Sequence, residues 1–513
     1  MKRLALIVCL VLVLLAFAVS MAFAQGNTTT LTLYHFSDYH SHALPAYSEG
    51  KPDQGGIARV IGYLRSKKLS DPNALVFNGG DMMNAGSPSW SDKYMCSEWD
   101  WFNGLAEAMA LGNHEFDYGQ PIFQQCLAKL AYPILNANLV KTDTGDPVFQ
   151  ADGKPYMIVE RDGVRLGVFA VGSKDYQTLI RPANLPANTK FADVTETTRE
   201  IVRRLREEEK VDAVVSIGHR SYEEDLALAQ AVPGIDLILG THSHRKEDLK
   251  KLPGTNTWFI SPYQFGTYVS RVQLAFANGK LANVSGGLVP MDKNVPEAPD
   301  VAEGVAARQA DLEADPFFAP KFVKLGSAAV ELSDTNLNTG EAVIGNFVMD
   351  LLRQKAGVNF IASTSSSFRA GIPPGDITVE SYQAALPFRN LVVTYDMTGA
   401  QIRDILNFMA TKTTTDSFLQ QSGVRLRLRN GQAEDIQILR DPSDPSQGYE
   451  PLDDAKVYKV GTTDFAANIH PDYKRLFGVG TNKIVTPLVI NDVVIAEIKA
   501  NSPVSAALDG RVR

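Results

Sequence analysis

Five short motifs in the first half of the chain carry side chains of the types that bind metal ions. Carboxylate, imidazole and amide oxygen ligands suit Mn, Zn, Fe or Ni, and the absence of cysteine from the motifs argues against a structural zinc site. Two ions about 3.5–4 Å apart need a bridging carboxylate and can hold a water between them as hydroxide. The motifs therefore fit a dinuclear site, and they hold five of the eight histidines. They are Asp38-x-His40, Gly80-Asp81, Gly112-Asn113-His114-Glu115, Gly218-His219 and Gly240-x-His242-x-His244.

Apolar segments precede these motifs and predict the strands that position them. Loops at the carboxyl ends of strands converge on one edge of a sheet, where binding sites commonly form. Between the strands, Asp193 and Glu196 indicate the capped start of a helix, because apolar residues follow at helical spacing. The predicted strands are 31–36, 74–77, 164–171, 211–217 and 235–239.

The second half of the chain predicts a separate domain. Prolines flank an Ala-rich and acidic segment at 301–312, which indicates a linker with a short helix at about 293–320. Beyond it, an apolar stripe at 344–352 and a cap formed by Thr398 and Gln401 predict helices. Two mixed α/β domains are therefore expected, with strands in the second at 359–362 and 391–395.

Length and composition exclude several classes of protein. The chain has 513 residues, of which 44% are hydrophobic and 21% charged, and this is typical of two or three globular domains. The composition does not fit a coiled coil, a collagen-like fibre or a disordered chain. A formal charge of −8 without a long basic run argues against binding to a nucleic-acid duplex. A soluble enzyme or binding protein remains.

The N-terminus predicts export. Two basic residues, an aliphatic run at 4–19 and a small-x-small pattern at 22–24 are typical of a signal peptide covering 1–24. The alternative, an uncleaved membrane anchor, is disfavoured because the run is shorter than the roughly 20 residues that span a bilayer. We therefore expect a periplasmic or secreted protein without a membrane anchor. Its remaining cysteines are Cys96 and Cys126, and the sequence leaves open whether they pair.

Taken together, the motifs resemble the calcineurin-like metallophosphoesterases. More narrowly, 111–119 (LGNHEFDYG) and 232–244 (VPGIDLILGTHSH) resemble the exported bacterial 5′-nucleotidase / UDP-sugar hydrolase family. The resemblance continues through Gly345-Asn346, 371–378 (GIPPGDIT) and 386–388 (LPF), and covers nearly the whole mature chain. It implies a metallophosphoesterase α/β sandwich, with two mixed sheets flanked by helices, at 25–292. A linker helix or hinge at 293–325 and a second α/β, substrate-binding domain at 326–513 would follow.

The resemblance also implies roles for the motif residues. His114 and Asp117 would form a catalytic dyad next to Asn113, and a metal-bridging hydroxide would attack phosphorus. His42 is expected beside the ligands rather than among them, and His35 and His470 are expected to be structural. One ion would be held by Asp38, His40, Asp81 and His244, and the other by Asp81, Asn113, His219 and His242.

In the second domain the resemblance implies a nucleotide-binding site. Arg369 would contact phosphate or ribose, and the base would stack between Phe388 and Tyr473, with Phe477 as an alternative ring. Three segments depart from the family pattern, which puts the specificity of this site in question. They are Asn338 in place of an arginine, 364–367 in place of a glycine-rich turn, and 468–473 in place of a glycine-rich loop.

Three hypotheses on function follow. The first is a phosphoester hydrolase with two divalent metal ions that releases phosphate from 5′-nucleotides. The second keeps the chemistry but changes the substrate to a 2′,3′-cyclic nucleotide, a UDP-sugar or a sulfur ester, because the second domain is altered. The third is a nucleotide- or metal-binding protein without turnover, which the sequence disfavours because His114 and Asp117 would then have no role.

Overall fold

The computed structural model describes residues 28–86 and 88–513, so the signal peptide predicted at 1–24 lies outside the described residues. The chain forms two compact units. Among the described residues, the first contains 28–45, 54–85 and 90–307, and the second contains the rest. The division falls within a helix, Pro299–Ala314, in the segment predicted as a linker. No helix in the described part of the chain is long and apolar enough to cross a bilayer.

The strands and helices are numbered in chain order. The strands are β1 (Thr28–Phe36), β2 (Ala46–Ser48), β3 (Lys51–Gln54), β4 (Leu75–Asn78), β5 (Ala108–Ala110), β6 (Ile134–Lys141), β7 (Pro147–Phe149), β8 (Tyr156–Arg161), β9 (Val164–Phe169), β10 (Thr189–Phe191), β11 (Ala213–Ser216), β12 (Leu237–Leu239), β13 (Lys246–Lys251), β14 (Trp258–Pro262), β15 (Tyr268–Ala277), β16 (Lys280–Pro290), β17 (Lys324–Ala328), β18 (Phe360–Thr364), β19 (Gly375–Thr378), β20 (Leu391–Thr398), β21 (Leu419–Ser422), β22 (Val424–Arg429), β23 (Gln432–Leu439), β24 (Tyr449–Pro451), β25 (Val457–Thr463) and β26 (Thr481–Val489). The α-helices are α1 (Ile57–Ser70), α2 (Ser89–Tyr94), α3 (Gly119–Leu127), α4 (Tyr176–Leu179), α5 (Val194–Arg203), α6 (Tyr222–Ala231), α7 (Pro299–Ala314), α8 (Val343–Ala356), α9 (Val379–Ala385), α10 (Gly399–Ala410), α11 (Asp464–Asn468), α12 (Pro471–Phe477) and α13 (Ile490–Asn501).

The first unit is a sandwich of two mixed sheets. One sheet has the order β10-β6-β5-β4-β1-β15-β16, with β7 beside β6, and the other has the order β13-β14-β12-β11-β9-β8. β1, β4, β5 and β6 run parallel to one another, and so do β9, β11, β12 and β14. Apolar side chains of both sheets form the core between them, including Leu33, Phe77, Val168 and Leu237. This confirms the predicted fold class.

Helices cover the outer face of the second sheet. Ile201 and Leu205, in α5 and the turn after it, and Leu228 of α6 pack on apolar residues of that sheet. The Asp193 carboxylate accepts the backbone N–H of Glu196 at 2.9 Å, which confirms the predicted helix start. Cys96 and Cys126, whose pairing the sequence left open, form a disulfide with an S–S distance of 2.02 Å.

The second unit is built on a five-stranded sheet with helices on both faces. Its order is β21-β18-β25-β20-β26. Residues of α8 and α13 form the core on one face, and residues of α10 and α12 form the core on the other. Thr398 and Gln401 make the reciprocal capping contacts that the sequence predicts for α10. The unit also contains the three-stranded sheet β22-β23-β24 and the two-stranded sheets β17-β19 and β2-β3.

Candidate metal centre

The first sheet supplies predicted ligands from the ends of three adjacent strands. β1 leads to Asp38, β4 leads to Asp81, and β5 leads to Asn113 and His114. The loops interlock through backbone hydrogen bonds, from Asp38 N–H to Gly80 O at 3.0 Å and from His40 N–H to Asp81 O at 2.9 Å. The backbone of the loops therefore fixes how far apart the ligands lie.

Five of the predicted ligands have left-handed backbone conformations. Such φ values are uncommon for residues other than glycine, and they concentrate at functional sites where the surrounding structure holds them. The residues are Asp38 (φ 52°), His40 (49°), Asp81 (53°), His242 (59°) and His244 (47°).

The second sheet supplies histidines from the ends of β11 and β12. His219 follows β11, and its Nδ1 donates to the Gly79 carbonyl at 2.7 Å. Because a carbonyl only accepts, Nδ1 carries a proton and Nε2 is left as the atom that faces the site. His242 and His244 follow β12, and the His242 backbone N–H donates to the Asp38 carboxylate at 3.0 Å.

These side chains converge into three overlapping groups that could hold metal ions. Nε2 of His219 lies 2.9 Å from Asp81 Oδ2 and 3.8 Å from Asp38 Oδ1. The Nε2 atoms of His40 and His244 lie 2.9 Å apart. Six of the seven predicted ligands belong to the groups, and Asn113 lies next to His114 in the chain. The groups are Asp38-His40-His244, His40-Asp81-His114 and Asp81-His219-His242.

The electrostatics of the site favour a cation. Burial opposes ionisation of Asp81, but His219 and His114 hold the pKa of this carboxyl well below its usual range. Burial likewise works against a charged His219, yet Asp81 raises the pKa of this imidazole to about 10. Burial lowers the pKa of His242 to about 4. Positive charge is thus favoured beside Asp81, where a metal ion would replace the proton.

An unpartnered amide oxygen also fits a metal ion. Within the described part of the chain, Asn113 Oδ1 is buried and has no hydrogen-bond partner. Buried polar atoms in folded proteins are normally paired, and an amide oxygen is an atom that coordinates divalent cations. The residues present therefore fit the divalent ions that the sequence predicts.

His114 and Asp117 form a pair at the partly exposed edge of this cluster. His114 Nδ1 lies 2.7 Å from Asp117 Oδ2, and each side chain is about one quarter exposed. The carboxylate fixes Nδ1 as the protonated nitrogen, so the other ring nitrogen is the one placed for proton transfer. Asp117 Oδ2 also accepts the Ala85 backbone N–H at 2.9 Å, which holds the carboxylate in place.

Two further residues support the ligands, although no role was predicted for them. The buried carboxylate of Glu115 accepts the backbone N–H groups of Asp81, Met82 and Gly112 at 3.0, 2.7 and 2.7 Å. Its place in the Gly-Asn-His-Glu motif was a signal for such a role. Phe265 donates its backbone N–H to Asp38 O at 2.8 Å, and its ring stacks on that of His42 with the ring centroids 3.6 Å apart. No sequence motif marked this residue. His42 bonds to the His40 carbonyl and is outside the three groups, as expected for a residue beside the ligands.

The second unit presents part of the predicted nucleotide site. Phe388 is 42% exposed, and the guanidinium carbon of Arg369 lies 5.4 Å from its ring centroid. Tyr473 does not fit the stacking role predicted for it, because its ring is fully buried and its hydroxyl donates to Ser417 O at 2.8 Å. Phe477, the alternative ring, is also fully buried. Both pack into the core beneath α10, so neither has a face for a base.

The segments that depart from the family pattern are tied together in this unit. In the turn at Ser365–Ser367, the Ser365 hydroxyl and the Ser366 N–H donate to the backbone carbonyl of Asp416 at 2.9 and 3.0 Å. His470 caps α12 by accepting the Tyr473 N–H at 3.4 Å, and its Nε2 lies 3.1 Å from the Ser417 hydroxyl. A short helix thus stands where the family pattern has a glycine-rich loop, and it is the reason why Tyr473 points inward.

Comparisons with known proteins agree with this fold. Residues 31–246 match the calcineurin-like phosphoesterase family, and residues 324–475 match the 5′-nucleotidase C-terminal domain. The apyrase of Tabanus yao is 27% identical over 536 residues, covering 94% of this chain and 93% of its own. Protein UshA of Escherichia coli is 25% identical, covering 96% and 95%. The crystal structure of the 5′-nucleotidase precursor from Thermus thermophilus has a TM-score of 0.72 and 25% identity, and the alignment covers 94% of this chain and 99% of that one.

A two-sheet sandwich with carboxylate and histidine ligands at its strand ends, matched by this family, defines the first unit as a metallophosphoesterase. The chain belongs to the calcineurin-like phosphoesterases that carry a 5′-nucleotidase C-terminal domain. It is a metal-dependent phosphoester hydrolase with 5′-nucleotidase homologues.

Proposed function

We propose that this chain is a 5′-nucleotidase that uses two divalent metal ions to release phosphate from nucleoside monophosphates. The observation that carries the proposal is that Asp81 belongs to two of the three ligand groups, as a bridging carboxylate would. The ligands would be Asp38, His40, Asp81 and His244 for one ion, and Asp81, Asn113, His219 and His242 for the other.

The ions, when bound, would polarise the phosphoryl oxygens and activate water for attack on phosphorus. The chain's own residues would manage the leaving group. His114, oriented by Asp117, would give a proton to the departing ribose oxygen and, as an imidazolium, would stabilise charge on the phosphoryl group. Asn113 would hold the loop in which His114 sits as well as offering its amide oxygen to an ion.

The second unit would bind the nucleoside. Phe388 offers a half-exposed ring on which any base can stack, and Arg369 next to it offers a cation for phosphate or ribose. The match to the 5′-nucleotidase C-terminal domain supports this assignment. The burial of Tyr473 removes one of the two predicted stacking rings, and it favours a second candidate in which the substrate depends less on its base: a 2′,3′-cyclic nucleotide, a UDP-sugar or a sulfur ester.

Export and domain boundaries are part of the same proposal. A signal peptide at 1–24 would be removed, leaving a phosphoesterase domain at 25–292, a linker at 293–325 and a substrate-binding domain at 326–513. Cys96 and Cys126, joined in the structure, suit an oxidising compartment outside the cytoplasm.

Substrate preference is the direct test. Phosphate release by residues 25–513 would be measured with AMP, UDP-glucose, a 2′,3′-cyclic nucleotide and bis-p-nitrophenyl phosphate, each with Mn²⁺, with Zn²⁺ and with a chelator. A phosphatase added in a second step would reveal products that are still esters. Metal-dependent turnover strongest on AMP is expected. Activity on diesters alone would favour the second candidate, and the absence of metal dependence would contradict both.

A further inference from the structure

Arg220, the residue after His219, is a fully buried charged side chain that the proposed chemistry does not use. Its guanidinium bonds to three separate elements. Nε donates to Asp225 Oδ1 of α6 at 2.8 Å, one terminal nitrogen donates to Val171 O at 2.8 Å, and the other donates to the Ser216 hydroxyl at 3.0 Å. Arg220 thus joins the ends of β9 and β11 to the first turns of α6.

Stability alone does not account for this ion pair. Asp225 is also fully buried, and within the described residues its Oδ2 has no hydrogen-bond partner. Removing two charges from water is costly, and apolar residues of similar volume often replace a buried pair with equal or greater stability. The residues around the guanidinium indicate what else it does.

The guanidinium lies directly against the backbone that carries His219. A Cβ added at Gly218 would stand 2.1 Å from a terminal nitrogen of Arg220 and 2.4 Å from Val171 O, so the chain can pass here only as glycine. His219 is therefore held on one side by this contact and on the other by its hydrogen bond to Gly79 O.

A second contact connects this loop to the next ligand loop. The Thr241 hydroxyl accepts the Arg220 backbone N–H at 3.2 Å and donates to Gly218 O at 3.1 Å. Thr241 directly precedes His242, so one hydroxyl fixes the spacing between the loops of His219 and His242.

We propose that Arg220 is a positioning residue, which holds His219 and, with Thr241, sets its distance from His242, and so determines the affinity for the divalent ion that these histidines bind. The inference rests on the ligand assignment made under the proposed function. Supporting groups of this kind typically contribute 10–100-fold to metal affinity.

The chain offers a matched control in a second Arg–Asp pair of the same sheet. Arg206 bonds to Asp236, whose Oδ2 accepts the Val214 N–H at 2.7 Å. Asp236 immediately precedes β12, so this pair lies at the opposite end of the strands from the histidines. Arg206→Lys therefore perturbs an ion pair without touching a ligand loop.

The test measures Zn²⁺ affinity by competition with a chromophoric chelator, and the thermal midpoint of each metal-free protein. Arg220→Lys retains a charge for Asp225 but cannot make all three contacts, and Thr241→Val removes only the hydroxyl. We expect each to weaken Zn²⁺ binding about 10-fold or more, while Arg206→Lys stays within about twofold of the unmodified protein. Unchanged affinity in Thr241→Val and in folded Arg220→Lys would overturn the inference.

A double-mutant cycle with His219→Ala shows whether Arg220 acts through His219. We expect Arg220→Lys to cause little further loss of Zn²⁺ affinity once the His219 side chain is absent. If the fold losses of the two substitutions multiplied in the double variant, the inference would be contradicted. If His219→Ala alone leaves Zn²⁺ affinity unchanged, the ligand assignment fails and the inference fails with it. If His219→Ala weakens binding and Arg220→Lys does not, the positioning role alone is wrong.

Discussion

The backbone N–H of His114 donates to the Asp81 carboxylate at 2.9 Å. The proposed bridging ligand therefore also holds the proposed proton donor in place. Metal binding and leaving-group protonation would share one carboxylate, so a single displacement of Asp81 would disturb both. Substitutions at Asp81 and at His114 can separate the two roles.

Replacing Asp81 with Asn should abolish metal-dependent turnover. The amide retains an acceptor for the His114 N–H, but it removes the negative charge that two ions would share. Metal analysis of the purified variant should show loss of bound ions along with loss of activity. Two ions retained per chain would contradict the bridging assignment.

Replacing His114 with Ala should lower kcat on AMP by about 10²–10⁴-fold, the usual contribution of a general acid. The loss should be much smaller on p-nitrophenyl phosphate, whose leaving group departs without a proton. Zn²⁺ affinity, measured in parallel, should change little. Equal losses on the two substrates would show that His114 does not protonate the leaving group.

Replacing Phe388 with Ala should raise KM for AMP by about 5-fold or more, because stacking of a base on an aromatic ring contributes about 1–3 kcal/mol. KM for p-nitrophenyl phosphate, which has no base, should rise less. Tyr473→Phe is the matched control: it removes the hydroxyl that bonds to Ser417 O inside the core and should leave both KM values unchanged. A larger KM effect from Tyr473→Phe would mean that the Tyr473 hydroxyl contributes to substrate binding.

Acid should destabilise the second unit through His470. Burial lowers the pKa of this imidazole, and its Nδ1 must stay unprotonated to accept the Tyr473 N–H. In the unfolded chain this histidine has a pKa of about 6.5 and binds the proton more readily than in the folded protein. The capping hydrogen bond therefore stabilises the second unit fully above that pH, and this stabilisation is lost as pH falls through the folded pKa.

His470→Asn would test this, since asparagine caps a helix at any pH. Thermal unfolding followed between about pH 7.5 and 5 should show a smaller decline in the midpoint of the second unit for the variant. The same decline in both proteins would show that other groups dominate the acid response.

Much of the site was predictable because the chemistry is local. Asp38, Asp81, His219 and His242 each follow an apolar segment that forms a strand, and ligand type follows directly from side-chain chemistry. Helix starts were predictable for the same reason, since a cap such as Thr398 with Gln401 involves residues three apart.

The tertiary structure decided what depends on residues far apart in the chain. Tyr473 was predicted to stack on a base, although its segment departs from the family pattern, yet its contacts with Ser417 and the core turn its ring inward. Cys96 pairs with Cys126, and Arg220 reaches back to Val171, through distances that no local pattern encodes. The sequence by itself determined the family and the candidate metal ligands, because these follow from residue type and local spacing. Burial and long-range pairing decided which aromatic ring is open and which buried charges support the site, because both depend on how distant segments pack.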